Sequence, residues 1–348
     1  MPPRLAPPPP RRPRRRLAAL LATSLAASLA AFVPPAASAA PRLGAYVGFP
    51  DTDDAAIDAA TKTQLAAFTR AIGRAPTLRL LYIDAAQKES KWAANNAWAV
   101  ASWRANPSFS RGATPALGIP MAQPGDPADR DFRRIAAGAW DGMFRQVFSA
   151  WAEAGVKSFD IRPGWEMNGT WMNWSITQAN AADFVAAFRH IADLAHRFPH
   201  ARIRVIWNPN TGGTVPLADY YPGNAAVDAI GLDFYGKPIG ADDAPAAASR
   251  GPADIQLNQL MAFAAQQGKP FGLAEIGAGA ANTAFPTNLA QALAQTLAKT
   301  GKPLAFINIW DVPGGADTGG SLQWSSDPAA AAAWRHVVDV AEGLPGGR

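Results

Sequence analysis

From residue 42 onward the chain alternates short apolar runs with longer stretches of helical period. The apolar runs fall at 43–49, 77–83, 115–121, 156–161, 202–207, 227–234, 271–276 and 304–310, each short enough for a strand. Amphipathic stretches at 64–72, 132–154, 181–197, 255–267 and 289–299 read as helices, and another follows the last run at 328–340. Segment 92–103 is the least regular and reads either as a helix or as part of a cleft wall. Eight strands followed in turn by helices predict an α/β chain folded as a (β/α)₈ TIM barrel, one domain over 41–345. A doubly wound open sheet is the rival, but it would place a glycine fingerprint after the first strand, where none stands.

The formal charge of +5 first suggests a nucleic-acid partner, and its distribution removes that reading. Six arginines and no acid lie in residues 1–39, which leaves 26 basic against 27 acidic residues in the remainder. Those 39 residues are organised as a secretory signal peptide. Arg11 to Arg16 form a basic region, 17–33 an apolar one, and Ala37-Ser38-Ala39 a small-residue cleavage site. A membrane anchor is the alternative, disfavoured by the Ala- and Ser-rich run and by Pro34-Pro35. The expectation is a secreted protein, extracellular or periplasmic, a monomer with no membrane attachment once the signal is cleaved. There is no cysteine, so a large core rather than disulfides must hold the fold. Among the histidines, Phe198-Pro199 breaks the face that His196 and His200 would share, so neither metal nor cofactor is expected.

Chemistry concentrates in Arg162-Pro-Gly-Trp-Glu-Met-Asn-Gly-Thr-Trp-Met-Asn-Trp174. It follows a strand-like run in which Phe159 and Ile161 share a face, and Pro163-Gly164 ends that strand. Glu166 should therefore stand at a strand's carboxyl end, in a cleft. Around it lie Arg162, the amides Asn168 and Asn173, and the indoles Trp165, Trp171 and Trp174. Aromatic platforms mixed with amides suit a sugar, whose faces are apolar and whose edges are hydroxyls. Core packing is the plainer explanation of the tryptophans, but no helical or strand period fits them. The other strand ends offer Asp84, Asn208, Asp233, Tyr235, Glu275 and Trp310-Asp311. Glu166 and Glu275, after the fourth strand and in the seventh, would face one mouth. Cleaving a glycosidic bond takes such a pair, one carboxyl to protonate the leaving oxygen and one to attack or to activate water.

The segment from Arg162 to Trp171 resembles the acid/base segment of glycoside hydrolase family 26, whose members are mostly secreted endo-β-mannanases. Val227-Asp-Ala-Ile-Gly-Leu-Asp-Phe-Tyr-Gly236 is similar to that family's sixth strand, and Gly272-Leu-Ala-Glu-Ile-Gly277 to its nucleophile strand. The resemblance implies a retaining endo-glycosidase with Glu166 as acid/base and Glu275 as nucleophile. It also implies Arg162 beneath the site, Tyr235 hydrogen-bonded to the nucleophile, and Asp233 binding sugar or ordering the site. Trp171 and Trp310 would be stacking platforms, and Trp165, Asn168 and Asn208 further contacts to a polysaccharide. Trp165 stands where the family usually has His beside the sugar. β-1,4-Mannan is the first expectation, with β-1,3-xylan, mixed-linkage β-glucan or an inactive carbohydrate-binding barrel as alternatives. A metal-dependent hydrolase is a third class.

Overall fold

The computed structural model describes residues 40–213, 215–236, 256–314 and 321–344. The expected signal peptide, residue 255 at the head of one expected helix, and residue 345 at the expected domain end lie outside the described residues. Eight strands, β1 (Arg42–Tyr46), β2 (Leu78–Tyr82), β3 (Thr114–Ile119), β4 (Ser158–Pro163), β5 (Arg202–Trp207), β6 (Ala229–Tyr235), β7 (Phe271–Gly277) and β8 (Phe306–Trp310), form a closed parallel barrel in chain order. Strand β1 pairs with β8 from Arg42↔Phe306 to Tyr46↔Trp310, which seals the ring.

Helices lie between the strands: α1 (Ala55–Ile72), α2 (Glu89–Ala105), α3 (Pro107–Ser110), α4 (Ala128–Ala136), α5 (Asp141–Glu153), α6 (Ala181–His196), α7 (Leu217–Tyr220), α8 (Leu257–Gln266), α9 (Ala284–Thr300) and α10 (Pro328–Ala341). Local sequence sets their ends. Asp54 caps α1 by accepting from the amides of Ala56 and Ile57, and Gly73 closes it in the left-handed conformation, where lack of a Cβ costs nothing. The stretch 132–154 is two helices rather than one, because Gly138 adopts φ +79° between α4 and α5. Apolar periodicity continues across that break, so the pattern alone conceals it. Segment 92–103 lies within α2, with Trp92 packed edge-on against Trp140 and Trp103 against Trp151.

Successive residues of a strand face opposite sides, and here one side meets the helices and the other fills the barrel. On β4, Phe159 and Ile161 join the large core under the helices, while Asp160 and Arg162 point inward. The interior layer Leu78, Ile206, Ala229, Ala274 and Phe306 forms its own cluster. Beneath it, Asp160 accepts from Arg42 (2.6 Å) and from Nε and Nη2 of Arg204 (2.8 and 2.7 Å). Burial pushes the Asp160 carboxyl up to about 7, with Arg42 opposing the rise. A Cβ on Gly118 would lie 2.7 Å from Tyr82 Cδ1 and 3.0 Å from Trp165 Cε3, so those two rings occupy the space that the glycine leaves. Among the described residues, no helix is long and apolar enough to cross a membrane.

Candidate active site

The carboxyl ends of β2, β4, β6, β7 and β8 deliver the chemistry. Strand β7 does so through an irregularity. Its pairing with β6 shifts between Leu232 and Asp233, after which Asp233 stands opposite Glu275. In a regular strand Ala274 and Glu275 would face opposite ways. Ala274 packs in the interior cluster, and Glu275 also reaches inward to Arg162, while Leu273 and Ile276 lie in the outer core. A bulge re-aims a side chain in this way, and here it puts a carboxylate at the barrel mouth.

Glu275 is buried and accepts three hydrogen bonds. Tyr82 donates to Oε1 (2.7 Å), Arg162 Nη1 donates to the same oxygen (2.6 Å), and Tyr235 donates to Oε2 (2.5 Å). Arg162 is nearly wholly enclosed, and its guanidinium also lies 5.1 Å from the Tyr82 ring centre. Burial alone would lower the Arg162 pKa, but Tyr82, Glu275 and Asp233 raise it above its ordinary value and keep the cation charged. Burial, reinforced by Glu275, holds both phenols well above their usual range, so each remains a donor.

Glu166 adopts φ +55°, the only positive φ of a non-glycine residue among the described residues. Its amide donates to the Asn208 carbonyl (2.8 Å), and its own carbonyl accepts from Gly169 (2.9 Å), fixing the turn from both sides. Such a backbone is strained for a side chain with a Cβ, and strain held by surrounding bonds is characteristic of working sites. Trp171 Nε1 donates to Glu166 Oε2 (2.8 Å). The Trp171 indole covers Gly169, where a Cβ would meet its ring at 2.6 Å, and 56% of the residue is exposed. The ring is thus anchored at one edge and open to solvent.

One oxygen from each of Glu166, Asp233 and Glu275 lies within 4.8 Å of the others. These three acids could ligate a cation, but Arg162 already supplies the positive charge, at 2.6 Å from Glu275 and 3.7 Å from Asp233. Asp233 is fully buried. Desolvation, reinforced by Glu275, raises its pKa well above the ordinary carboxylate range, with Arg162 opposing the rise.

Trp310 is half-buried and lies against Tyr46 (ring centres 4.1 Å apart) and edge-on to Tyr235. Its buried Nε1 has no hydrogen-bond partner in the protein. With Trp165 and Tyr82 these rings form a continuous aromatic wall around Glu275.

Three further residues expected at the site, Trp165, Asn168 and Asn208, are buried beside it. Trp165 is 7% exposed and wedged between Tyr82 and Trp174. Asn168 is fully enclosed and ties two loops together, donating to the Asn210 and Gly212 carbonyls and accepting from the Asn210 amide. Asn208 is also fully enclosed, and its Oδ1 accepts from Arg162 (3.0 Å). Asp84, at another strand end, is exposed and accepts from the Ala86 amide as a turn residue. Sequence reasoning passed over Tyr82. Its signal was the alternation Leu78, Leu80, Tyr82, which makes the last residue of β2 inward-facing, two positions before the Asp84 that drew attention.

The comparisons with known proteins agree with this geometry. A family model described as glycosyl hydrolase family 26 matches residues 154–265. A mannan endo-1,4-beta-mannosidase of Bifidobacterium adolescentis is 27% identical over 231 residues, 58% of this chain and 23% of that protein. The chain therefore spans less than a quarter of that relative's length. The structure of a family 26 beta-mannanase from Bacteroides ovatus superposes with a TM-score of 0.58 at 13% identity, covering 88% of this chain and 90% of that one. Bacillus subtilis mannanase man26 gives 0.55 at 15% identity, covering 84% and 85%. At such identities these structures speak for the shared barrel. Residues 154–265, which carry Arg162, Glu166, Asp233 and Tyr235, are thus similar to the glycosyl hydrolase family 26 model, and the barrel that holds them is shared with the Bacteroides ovatus and Bacillus subtilis structures.

Proposed function

We propose that this protein is a glycoside hydrolase that cleaves internal bonds of a β-linked polysaccharide, β-1,4-mannan first, with retention at the anomeric carbon. The observation that carries the reading is the approach of Glu166 and Glu275 oxygens to within 4.8 Å. Retaining glycosidases hold their carboxyl groups about 5–5.5 Å apart, whereas inverting ones leave roughly 6.5–9.5 Å for a water. The surroundings favour one division of labour. Glu275 faces a cation and two hydroxyl donors, the setting of an anionic nucleophile. Glu166 sits in a half-open turn under the exposed Trp171, where a leaving-group sugar would stack, and so is placed to act as the acid.

In the first step a lone pair of Glu275 forms a bond to the anomeric carbon. The glycosidic bond breaks, and the departing oxygen takes that electron pair and a proton from Glu166. In the second step Glu166 takes a proton from water, whose oxygen attacks the same carbon and releases Glu275. The name of the Bifidobacterium relative supports mannan as the substrate. Export is part of the proposal and rests on the basic, apolar and small-residue order of residues 1–39.

The test is release of reducing ends from β-1,4-mannan, β-1,3-xylan and mixed-linkage β-glucan by the unaltered protein and by Glu275→Ala. Activity greatest on mannan and lost in the variant is expected. Activity confined to another polysaccharide overturns the substrate, and no activity on any of them overturns the enzyme reading. The intact mass of exported protein tests cleavage near Ala40.

A further inference from the structure

The resemblance and the family segment account for Arg162 and Tyr235 but say nothing of β2, whose last residue donates to Glu275. Building on the reading of Glu275 as nucleophile, we propose that Tyr82 is a positioning residue that fixes the attacking carboxylate.

A carboxylate offers two acceptor positions on each oxygen. Oε1 accepts from both Tyr82 and Arg162, whereas Oε2 accepts from Tyr235 alone. The open position is therefore on Oε2, which is the oxygen left to attack. Without the Tyr82 hydroxyl, both oxygens would have one donor each, and the difference between them would rest on Arg162 against Tyr235 alone. Attack from the wrong oxygen or a rotated carboxylate loses the alignment that an in-line displacement needs.

The ring is held as firmly as the hydroxyl. Trp165 lies 5.3 Å from it, Tyr46 5.6 Å and Trp310 6.0 Å between ring centres, and the Arg162 guanidinium covers one face. The absence of a Cβ at Gly118 makes room for both Tyr82 and Trp165. An indole in place of histidine before the acid/base therefore acts on the nucleophile's side of the site, by bracing Tyr82. The charged and titratable groups facing Glu275 are Tyr46 from β1, Tyr82 from β2, Arg162 from β4, Glu166 from the turn after it, and Asp233 and Tyr235 from β6.

The experiment uses Tyr82→Phe, which keeps the ring and removes one hydroxyl, with 2,4-dinitrophenyl β-mannobioside as probe. That leaving group needs no proton, so the first step reports on attack by Glu275. The expected result is a fall in kcat/KM of roughly tenfold to a hundredfold, the size of one hydrogen bond to a charged group. A second pair separates positioning from pocket shape. In Glu275→Gly rescued by azide the carboxylate is gone, so adding Tyr82→Phe should change the rescued rate less than twofold. Unchanged kcat/KM in Tyr82→Phe, or an equal loss in the rescued background, overturns the proposal.

Should Glu275→Ala keep its activity, or the unaltered protein be inert to the probe, the reading of the nucleophile or substrate fails separately. The hydrogen bond is then decided by unfolding Tyr82→Phe, Glu275→Gln and the double variant in denaturant. Non-additive changes are expected, and additive ones overturn the pairing.

Discussion

Replacing Gly118 with alanine tests the packing that holds Glu275 without touching either carboxyl group of the proposed pair. The new methyl would lie 2.7 Å from Tyr82 Cδ1 and 3.0–3.1 Å from Trp165. Carbon atoms in contact prefer about 3.5–4.0 Å, so the rings must retreat by roughly 0.5–1 Å. Neither has an easy way out. Trp165 is closed in by Trp174 at 4.5 Å, and Tyr82 by Tyr46, Trp310 and Arg162. Overpacking of this kind costs about 1–3 kcal/mol of stability. A retreat of that size also stretches the 2.7 Å bond from Tyr82 to Glu275 beyond hydrogen-bonding range. The expected outcome is a lowered denaturant midpoint, unchanged far-ultraviolet circular dichroism, and kcat/KM reduced by at least tenfold. In a Tyr82→Phe background the hydroxyl is already missing, so the same substitution should cost stability again but little further activity. A Gly118→Ala protein as stable and active as the parent would refute this account of the wedge.

Other consequences are separable. Glu166→Gly releases the only non-glycine left-handed backbone among the described residues, so stability should rise by about 0.5–1 kcal/mol while polysaccharide hydrolysis collapses; a loss of stability would count against strain at the turn. Trp171→Phe keeps a platform but removes the donor to Glu166, and should lower kcat severalfold with little change in melting temperature, since the ring is 56% exposed. Trp171→Ala should also raise KM for long oligosaccharides, and a large loss of stability in either variant would place the ring in the core. Asp160 has a folded pKa of about 7 against an ordinary 3.8. Between about pH 4 and 7 the folded state holds a proton that the unfolded state lacks, so stability falls as pH rises through that window. The stability advantage of the parent over Asp160→Asn should shrink by up to about 3 kcal/mol from pH 4.5 to 8, and parallel denaturation curves would contradict this.

The barrel was legible because eight short apolar runs, as expected of parallel strands buried on both faces, are followed in most cases by stretches of helical period. The acid pair was legible from strand ends, with Pro163-Gly164 marking one end and the Gly272–Gly277 run the other. What escaped has identifiable causes. Strand alternation would turn Glu275 away from Ala274's side, and the inward aim comes from a bulge that no residue type announces. The deep burial of Trp165, Asn168 and Asn208 was not legible, because polar and aromatic residues cluster on the segments that carry them. The left-handed turn at Glu166 is unusual for a glutamate and so could not be assumed. Tyr82 was hidden because a tyrosine in an apolar run reads as core, which its ring in fact is, while its hydroxyl reaches across to β7. The break between α4 and α5 was masked by apolar positions that stay in phase across Gly138.

The central claim is that Glu275 attacks and Glu166 supplies the proton, and the configuration of the azide product tests both roles together. With 2,4-dinitrophenyl β-mannobioside and added azide, Glu275→Gly should yield the α-mannobiosyl azide, because azide replaces the missing nucleophile in a single inversion. Glu166→Ala should yield the β-mannobiosyl azide, because azide attacks the glycosyl-enzyme formed on Glu275 and the two inversions cancel. Opposite configurations from the two variants, assigned by the one-bond coupling between C1 and H1 in the NMR spectrum, are the predicted result. The same configuration from both, or the two reversed, would contradict the assignment of the carboxyl groups.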